Sequence, residues 1–487
     1  MTRLFPEAGG CGTRHRRLCR LATPLAALTM LALSLAACDT DRILTVEDPD
    51  VARPEALEDP SALPAILNGA RSDFQVAYSG AGDDSQITLS ALFTDEFLNS
   101  ETFPTRIEVD RREIRTDNVT MEILFRNLQR ARASAERASR AFERFDAAAV
   151  AYGEVLALAG FTYVLAGENY CAGVAFSTLP EAGEIEYGSP QETSQIFEIA
   201  VSKFDSALSQ ATAALARPAD SVSARNIINL AKIGQGRALL NLARYDEAAA
   251  AVAGVPTTYQ FIILHSENSF RQQNGIFNLT FSGRRFSVAD MEGGNGLPFQ
   301  SAGLVTATTP ASDPRVANAR GRTVGTPAAA ISTVGFDNST PLFLQLKYPS
   351  RIASVVLANG VEARLIEAEA ALNAGNTGTW LTILNTLRAT AITPALPALA
   401  DPGSADARED LMFRERAFWL FLTSHRLGDL RRLVRDYARD SESVFPSGDY
   451  FKGGSFGPDV NFPIPIDELN NPQATGLNNR NCLSDEA

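Results

Sequence analysis

Phe413-Arg414-Glu415-Arg416-Ala417-Phe418-Trp419, then Leu420-Phe421 and His425-Arg426-Leu427-Gly428-Asp429-Leu430-Arg431-Arg432, is the stretch on which the fold turns. Within 409–437, Phe413, Ala417, Phe418, Leu420 and Phe421 supply the wide apolar face of a core helix. Arg426 with Asp429, and Asp429 with Arg432, are i,i+3 partners, worth about 0.2–0.5 kcal/mol each on an exposed helix. Buried Arg–carboxylate contacts would instead tie the helix to its neighbours, although such pairs are weak evidence of stabilisation. The segment reads as structural before it reads as ligand-binding.

Moving toward the N-terminus, helical patterning covers about 55–76 and is long and clear at 119–145, where Met121, Leu124, Phe125 and Leu128 share one face. The stretch 77–115, with Gly80, Gly82, paired Asp residues and Thr/Asn/Ser clusters, reads as loop. Three further segments share a pattern: 151–166 running into Gly167-Glu168, 224–243 running into Arg244-Tyr245-Asp246-Glu247-Ala248, and 355–374 running into Gly375-Asn376. Each carries a small residue (Gly160, Gly236 or Ala368) shortly before a turn, where a partner helix can come close. The pattern resembles tetratricopeptide helix pairs, and shares much with any antiparallel helical hairpin. Gly160 and Gly236 stand 76 positions apart, and Gly236 and Ala368 stand 132 apart. A plain solenoid would repeat every 34 residues or about that, so something large is inserted, chiefly 254–350. Eight phenylalanines there, from Phe261 to Phe343, lie among Gly, Asn, Thr and Ser without helical periodicity. The expected fold is mainly α: tetratricopeptide-like helix pairs with a large irregular insert of short strands and long loops, the kind of segment where binding usually resides.

The N-terminus is a targeting segment. Arg3, Arg14, Arg16, Arg17 and Arg20 precede an uncharged apolar run, Leu21–Leu35, which ends at Leu35-Ala36-Ala37-Cys38. The run is shorter than the roughly 20 residues that span a bilayer. Small residues before a cysteine resemble a bacterial lipobox, with Cys38 the acylation site; the alternative is an ordinary secretory signal with a chance cysteine. Residues 1–37 hold five Arg and one Glu, so their removal takes the formal charge from −13 to −17. That balance argues against nucleic acid as a partner and against adsorption to anionic lipid, leaving the acyl anchor as the membrane contact. Residues 38–54 read as an extended tether and 55–487 as one domain: a helical scaffold at about 55–253 and 351–440, the insert, and a tail at 441–487. Beyond Cys38 only Cys171 and Cys482 remain, in a chain bound for an oxidising compartment. They read either as a disulfide or as two separate buried thiols. A bridge would close a loop of about 310 residues, worth roughly 4–5 kcal/mol in the chain-entropy model. No metal is expected, because His265 and His425 lie far apart and no CxxC or HExxH spacing occurs. No cofactor is expected either.

The C-terminal block, together with Phe462-Pro463-Ile464-Pro465-Ile466-Asp467-Glu468-Leu469, Asn471-Pro472, the lipobox and Thr45-Val46-Glu47-Asp48-Pro49, resembles the RagB/SusD family of outer-membrane nutrient-binding lipoproteins. The resemblance runs in order along nearly all of 38–487. It departs at Thr423-Ser424, where the family commonly has Glu-Gly. What it implies is a lipid-anchored protein on the outer face of the outer membrane. Such a protein binds a glycan or peptide oligomer and passes it, as a hinged lid, into a SusC-like TonB-dependent barrel. In the family the helix pairs typically face the barrel and the irregular part carries the ligand surface.

Two other classes compete with this reading. A periplasm-facing tetratricopeptide lipoprotein for outer-membrane protein assembly would share the helix pairs, and Asp39 after the cysteine directs inner-membrane retention in some bacteria. A helical glycoside hydrolase would need paired acids, for which Asp95-Glu96 and Asp83-Asp84 are the candidates. No G-x-S-x-G elbow occurs, His is scarce, and a binding protein rather than an enzyme is expected. Trp380 and Trp419 lie in patterned helices and read as core. The nominated ligand contacts are Phe97, Asn99, Glu101 and Phe103, in a loop that combines aromatics with polar partners and falls where the family often places its contacts. The competing reading is a loop that packs its own Phe residues inward. On the first, replacing Phe97 and Phe103 by Ala weakens binding without unfolding the protein.

Overall fold

The computed structural model describes residues 59–178, 180, 184–321 and 332–487. The signal segment, Cys38 and the tether lie outside them, and residues 58–487 form one compact unit. Helix α1 (Leu63–Ser79) packs on the long α4 (Val119–Phe145), which packs on α5 (Val150–Asn169). Between α1 and α4 lie α2 (Gln86–Phe93), strand β1 (Phe97–Asn99) and α3 (Pro104–Asp110). The expected loop at 77–115 thus holds two helices. Every residue of α2 is buried, so it shows no polar face and no helical period for the sequence to betray. Its start is fixed locally, with Thr88 Oγ1 accepting from Ser85 N–H at 3.0 Å.

α6 (Thr193–Ala214), α7 (Ser221–Asn241) and α8 (Tyr245–Val252) continue the scaffold, each packed on the one before, and α5 also touches α7. The small residues work as close-approach points. A Cβ on Gly160 would fall 2.8 Å from the Phe204 ring of α6, and one on Gly236 would fall 2.5 Å from Val252 of α8. Gly167-Glu168, expected to form a turn, lies inside α5. Gly167 admits the Phe197 ring from α6, and Glu168 turns inward to a buried arginine, so the helix continues to Asn169. By length and hydropathy α5 could cross a membrane, but its residues 152–169 are all buried by neighbouring helices.

The insert is irregular, as expected, and is sewn to the scaffold at both ends. Within the described residues, β2 (Val174–Ala175) pairs with β3 (Pro190–Gln191), and β4 (Gln260–Ile263) pairs with β9 (Val355–Asn359). β5 (Phe286–Val288) pairs antiparallel with β1, while β6 (Leu304–Val305), β7 (Asn318–Arg320) and β8 (Phe343–Gln345) form a three-stranded sheet. Four of its eight phenylalanines are buried, Phe281, Phe286 and Phe299 wholly so, whereas Phe270 and Phe336 are exposed.

α9 (Gly360–Asn373) and α10 (Thr377–Thr390) form the last helix pair. The motif block then divides into α11 (Ala405–Trp419) and α12 (Arg426–Arg435) rather than one helix. The break is sharp because Leu422 and Ser424 adopt left-handed backbone, at φ 54° and 60°. Ser424 stands where the related pattern carries glycine, and it takes the conformation that glycine adopts without cost. The charges of this block are buried, not surface partners. Asp429 accepts from Arg416 at 2.8 and 2.9 Å and pairs with Arg432 at 3.1 Å. Arg432 also reaches Glu369 of α9 at 2.9 Å, and Arg426 holds Asp95 at 2.7 and 2.8 Å. Arg431 donates to the carbonyls of Gly167 and Tyr170, both at 2.9 Å, at the end of α5. Trp380 is buried, and Trp419 is half-buried beneath the Arg315 guanidinium, 5.0 Å from its ring.

The tail returns to α5. Phe462 N–H donates to Asn169 C=O at 2.7 Å, Cys171 N–H to Phe462 C=O at 3.0 Å, and Leu483 N–H to Ala172 C=O at 2.8 Å. Beside them Cys171 and Cys482 form a disulfide with a Cα separation of 5.8 Å.

Burial alone would raise the Asp429 carboxyl, but Arg416 and Arg432 hold it down to about 2. Its folded value lies below its ordinary one, so its stabilisation is complete above pH 4 or so and is lost as pH falls toward 2. Asp429→Asn should therefore cost about 3–5 kcal/mol at neutral pH by stranding two buried guanidinium groups. Urea unfolding over a pH series should show the gap between parent and variant closing below about pH 4; a gap independent of pH would rule out this ion-pair account.

Candidate functional site

A cavity of about 690 Å³ opens where the segment after α1, the start of α3 and the first half of the insert meet. Its volume lies within the range of small-molecule sites. The backbones converge here. Ala81 N–H donates to Arg271 C=O at 3.3 Å, and a Cβ on Gly275 would fall 2.1 Å from Gly80 O. Gly82, at φ 96°, lets the Phe270 ring approach to 3.6 Å from where its own Cβ would stand.

Two aromatic side chains give the cavity its exposed faces: Phe103 is 53 % exposed and Phe270 59 %. Beneath Phe103 lies a fixed polar base. The Glu101 carboxylate, wholly buried, accepts from Arg106 at 2.6 Å and also from Arg285. Arg106 donates in addition to Asp84 at 2.8 Å. Both guanidinium groups lie near the Phe103 ring, at 5.6 and 5.8 Å, and Arg285 also lies 4.6 Å from the exposed Phe336 ring. Arg351, an exposed lining residue whose guanidinium lies 5.8 Å from the Phe277 ring, has no ion pair among the described residues. Asp83, Glu267, Gln273 and Asn278 complete a lining of hydrogen-bonding groups between the rings.

Of the four nominated residues, the structure places only Phe103 at this surface. Phe97 is wholly buried on β1, 6.0 Å from the Phe286 ring, and belongs to the core. Asn99 is buried and closes the turn, its Oδ1 accepting from Glu101 N–H at 2.8 Å. Glu101 acts through Arg106 and Arg285 rather than at the surface. The expectation that Phe97 contacts ligand is corrected here: strand alternation sends it inward, and β1–β5 pairing fixes that register. Phe270, Arg106, Arg285 and Arg351 were not singled out from sequence. Phe270 looked like its insert neighbours, and nothing local marks an arginine as lining a cavity.

Asp95 and Glu96, the candidate catalytic acids, are buried. Asp95 is held by Arg426 and accepts from Leu297 N–H at 2.7 Å, and Glu96 accepts from Leu422 N–H at 2.7 Å. Asp84 is paired with Arg106. A second cavity, of about 510 Å³, lies between α1, α5, α7 and β4. Its polar groups largely satisfy one another: Arg71 with Glu154 at 2.6 and 2.7 Å, Gln75 with His265 at 2.8 Å, and Ser79 with His265 at 3.0 Å. Of these two cavities, the first is the one with exposed aromatic faces.

No family model and no curated protein matches the sequence. Solved structures do match the fold. A SusD-like carbohydrate-binding protein from Bacteroides fragilis superposes with a TM-score of 0.60 at 14 % identity, covering 86 % of this chain and 99 % of that one. A laminarin-binding SusD-like protein gives 0.58 at 15 % identity, covering 85 % and 98 %. A SusD superfamily protein from Bacteroides vulgatus gives 0.55 at 15 % identity, also covering 85 % and 98 %. The chain has the SusD-like fold: mainly helical, with few and short strands.

Because Phe97 is core and Phe103 is surface, their alanine variants should part in stability. Phe97→Ala should cost about 3–5 kcal/mol, and Phe103→Ala should stay within about 0.5 kcal/mol of the parent. Thermal or urea unfolding checks this, and equal losses would show that the two rings are not divided in this way.

Proposed function

We propose that this chain binds a nutrient oligomer, a glycan in preference to a peptide, in the Phe103–Phe270 cavity and releases it to a SusC-like TonB-dependent barrel without chemical change. The observation that carries the reading is the pair of exposed rings over a cavity of guanidinium, carboxylate and amide groups. A pyranose has an apolar face that such rings can cover, and hydroxyl groups that such polar groups can meet. The SusD-like fold, in structures described as carbohydrate- and laminarin-binding, supports the same reading. Anchoring through Cys38 at the outer-membrane surface belongs to the proposal. The charge of −17 beyond residue 37 offers anionic lipid no attraction of its own.

Calorimetry with laminarin oligosaccharides, other neutral oligosaccharides and mixed short peptides tests the site. Phe103→Ala and Phe270→Ala should each weaken glycan binding about tenfold, the loss of about 1.4 kcal/mol. Unchanged affinity would remove the cavity from the site, and binding of peptides alone would replace the glycan. Protease treatment of intact cells tests the location. Digestion is expected; protection until the outer membrane is broken would favour the periplasm-facing lipoprotein. Cys38→Ala should leave binding intact while uptake falls.

A further inference from the structure

The β1–β5 ladder has a second cleft beside it, of about 280 Å³, near the lower end of small-molecule sites. Leu98 and Val288 contribute from the two strands, while Phe343, Phe451 and Phe456 supply aromatic walls. Phe451 is 45 % exposed. Three acidic residues line it, Asp290, Glu292 and Asp449, and no Lys, Arg or His does. Asp290 already accepts from the Ser301 N–H and O–H at 3.0 and 2.9 Å. Asp449 is exposed, with no side-chain partner among the described residues.

Glu292 is the unusual member. It is 7 % exposed, and its carboxyl has neither a hydrogen bond nor an ion pair among the described residues. Met291 before it is left-handed at φ 53°, and Gly293 after it, at φ 65°, would place a Cβ 2.4 Å from Ser447 N. Behind it stand Asp110, Asp95 and Tyr450. The nearby cations already have partners: Arg426 holds Asp95, Lys452 holds Asp337 with its ammonium 5.6 Å from the Phe451 ring, and Arg111 pairs with Glu113. Arg320 lies over the Phe343 ring at 5.8 Å. No three acidic, His or Cys residues come together as a metal site among the described residues.

We infer that this cleft is a second binding site, for an organic ammonium group on a compact body such as an amino sugar or a lysine side chain, with Glu292 as its counter-ion. Aromatic faces attract a cation through the ring quadrupole. A desolvated carboxylate without a partner is costly, and an ammonium supplies both opposite charge and three donors. Burial, with the charges of Asp110 and Asp95, pushes Glu292 up to about 9, so it holds its proton at neutral pH in the empty cleft. When the ammonium enters, the carboxyl ionises against it and the proton passes to solvent. A positive charge enters as one leaves.

The test is calorimetry on the whole soluble protein at pH 7, in two buffers of different ionisation enthalpy. The probes are the glucosamine disaccharide and a lysine tripeptide, each beside its N-acetylated form. At least one amine should bind about tenfold or more tighter than its acetylated form, releasing about one proton. The arm that binds identifies the source. Glu292→Gln should abolish the proton release. Asp449→Asn and Phe451→Ala, both at exposed positions, should weaken binding, while Phe103→Ala and Phe270→Ala should leave it unchanged, which separates this cleft from the cavity proposed above. The inference is overturned if neither amine binds, if the acetylated forms bind equally, or if binding ignores both Asp449→Asn and Phe451→Ala.

Discussion

Asp429 is buried between two guanidinium groups, and each of those guanidinium groups reaches toward another carboxylate. Arg432 continues to Glu369 on α9; Arg416 approaches the same Glu369 at 3.5 Å. On the adjoining helices, Arg237 of α7 grips Glu168 of α5 at 2.7 Å and also donates to Ser424 C=O at 3.0 Å. His425 meets Glu362 of α9 at 2.9 Å, and Glu415 receives both Arg388 of α10 and Arg315 of the insert at 2.7 Å. Taking such ions out of water costs several kcal/mol each, and the mutual attraction offsets this only when every partner is present. The scaffold helices, the insert and α11–α12 are therefore coupled: none can leave without stranding a charge on another.

This lattice fixes the ligand side of the molecule. Asp95 stands two residues before β1, and Arg426 clamps it from α12, while Glu96 accepts the Leu422 N–H in the break between α11 and α12. The root of β1 is thus anchored to the most heavily bonded part of the core. From it the chain proceeds through Asn99 and Glu101 to Phe103, each turn held by a buried polar contact. A recognition surface on loops gains from such support, because the geometry is set before ligand arrives and less ordering entropy is lost on binding.

Much of the scaffold was legible in the sequence because helix period and small-residue spacing are local properties. The 119–145 helix matched at both ends, and at its start Asn118 accepts from Thr120 and Met121 N–H at 3.0 and 3.1 Å. Phe103 was legible as an aromatic beside polar residues, and Phe97 was misread because it fits the same description. Only the pairing of Phe97 with Val288, across 191 positions of chain, turns it inward. The same limit applies to α2, whose polar residues Gln86, Thr88 and Ser90 are buried along with its apolar ones, and to the arginines of α12. Spacing proposes i,i+3 partners, and Asp429–Arg432 forms as proposed, but folding also takes Arg426 to Asp95, Arg432 to Glu369 and Arg431 to the carbonyls at the end of α5. Local pattern reports which faces are apolar, not which charges meet.

That limit also explains why two dissimilar clefts can border one ladder. β1 and β5 are three residues each, and their side chains alternate, so neighbouring positions face different surroundings. At one end Glu101 gathers Arg106 and Arg285 under an exposed ring, producing a mixed-charge cavity. Farther along, Leu98 and Val288 border the cleft of Asp290, Glu292 and Asp449, which has no basic residue in its lining. Lys452 bridges between the two sides, donating to Glu101 C=O and to Asp337 while its ammonium stands 5.6 Å from the Phe451 ring. Because that lysine is already bound, it cannot swing to neutralise the acidic cleft without releasing the turn that holds the mixed-charge one. The difference in charge between the two clefts is thus maintained by the shared element itself.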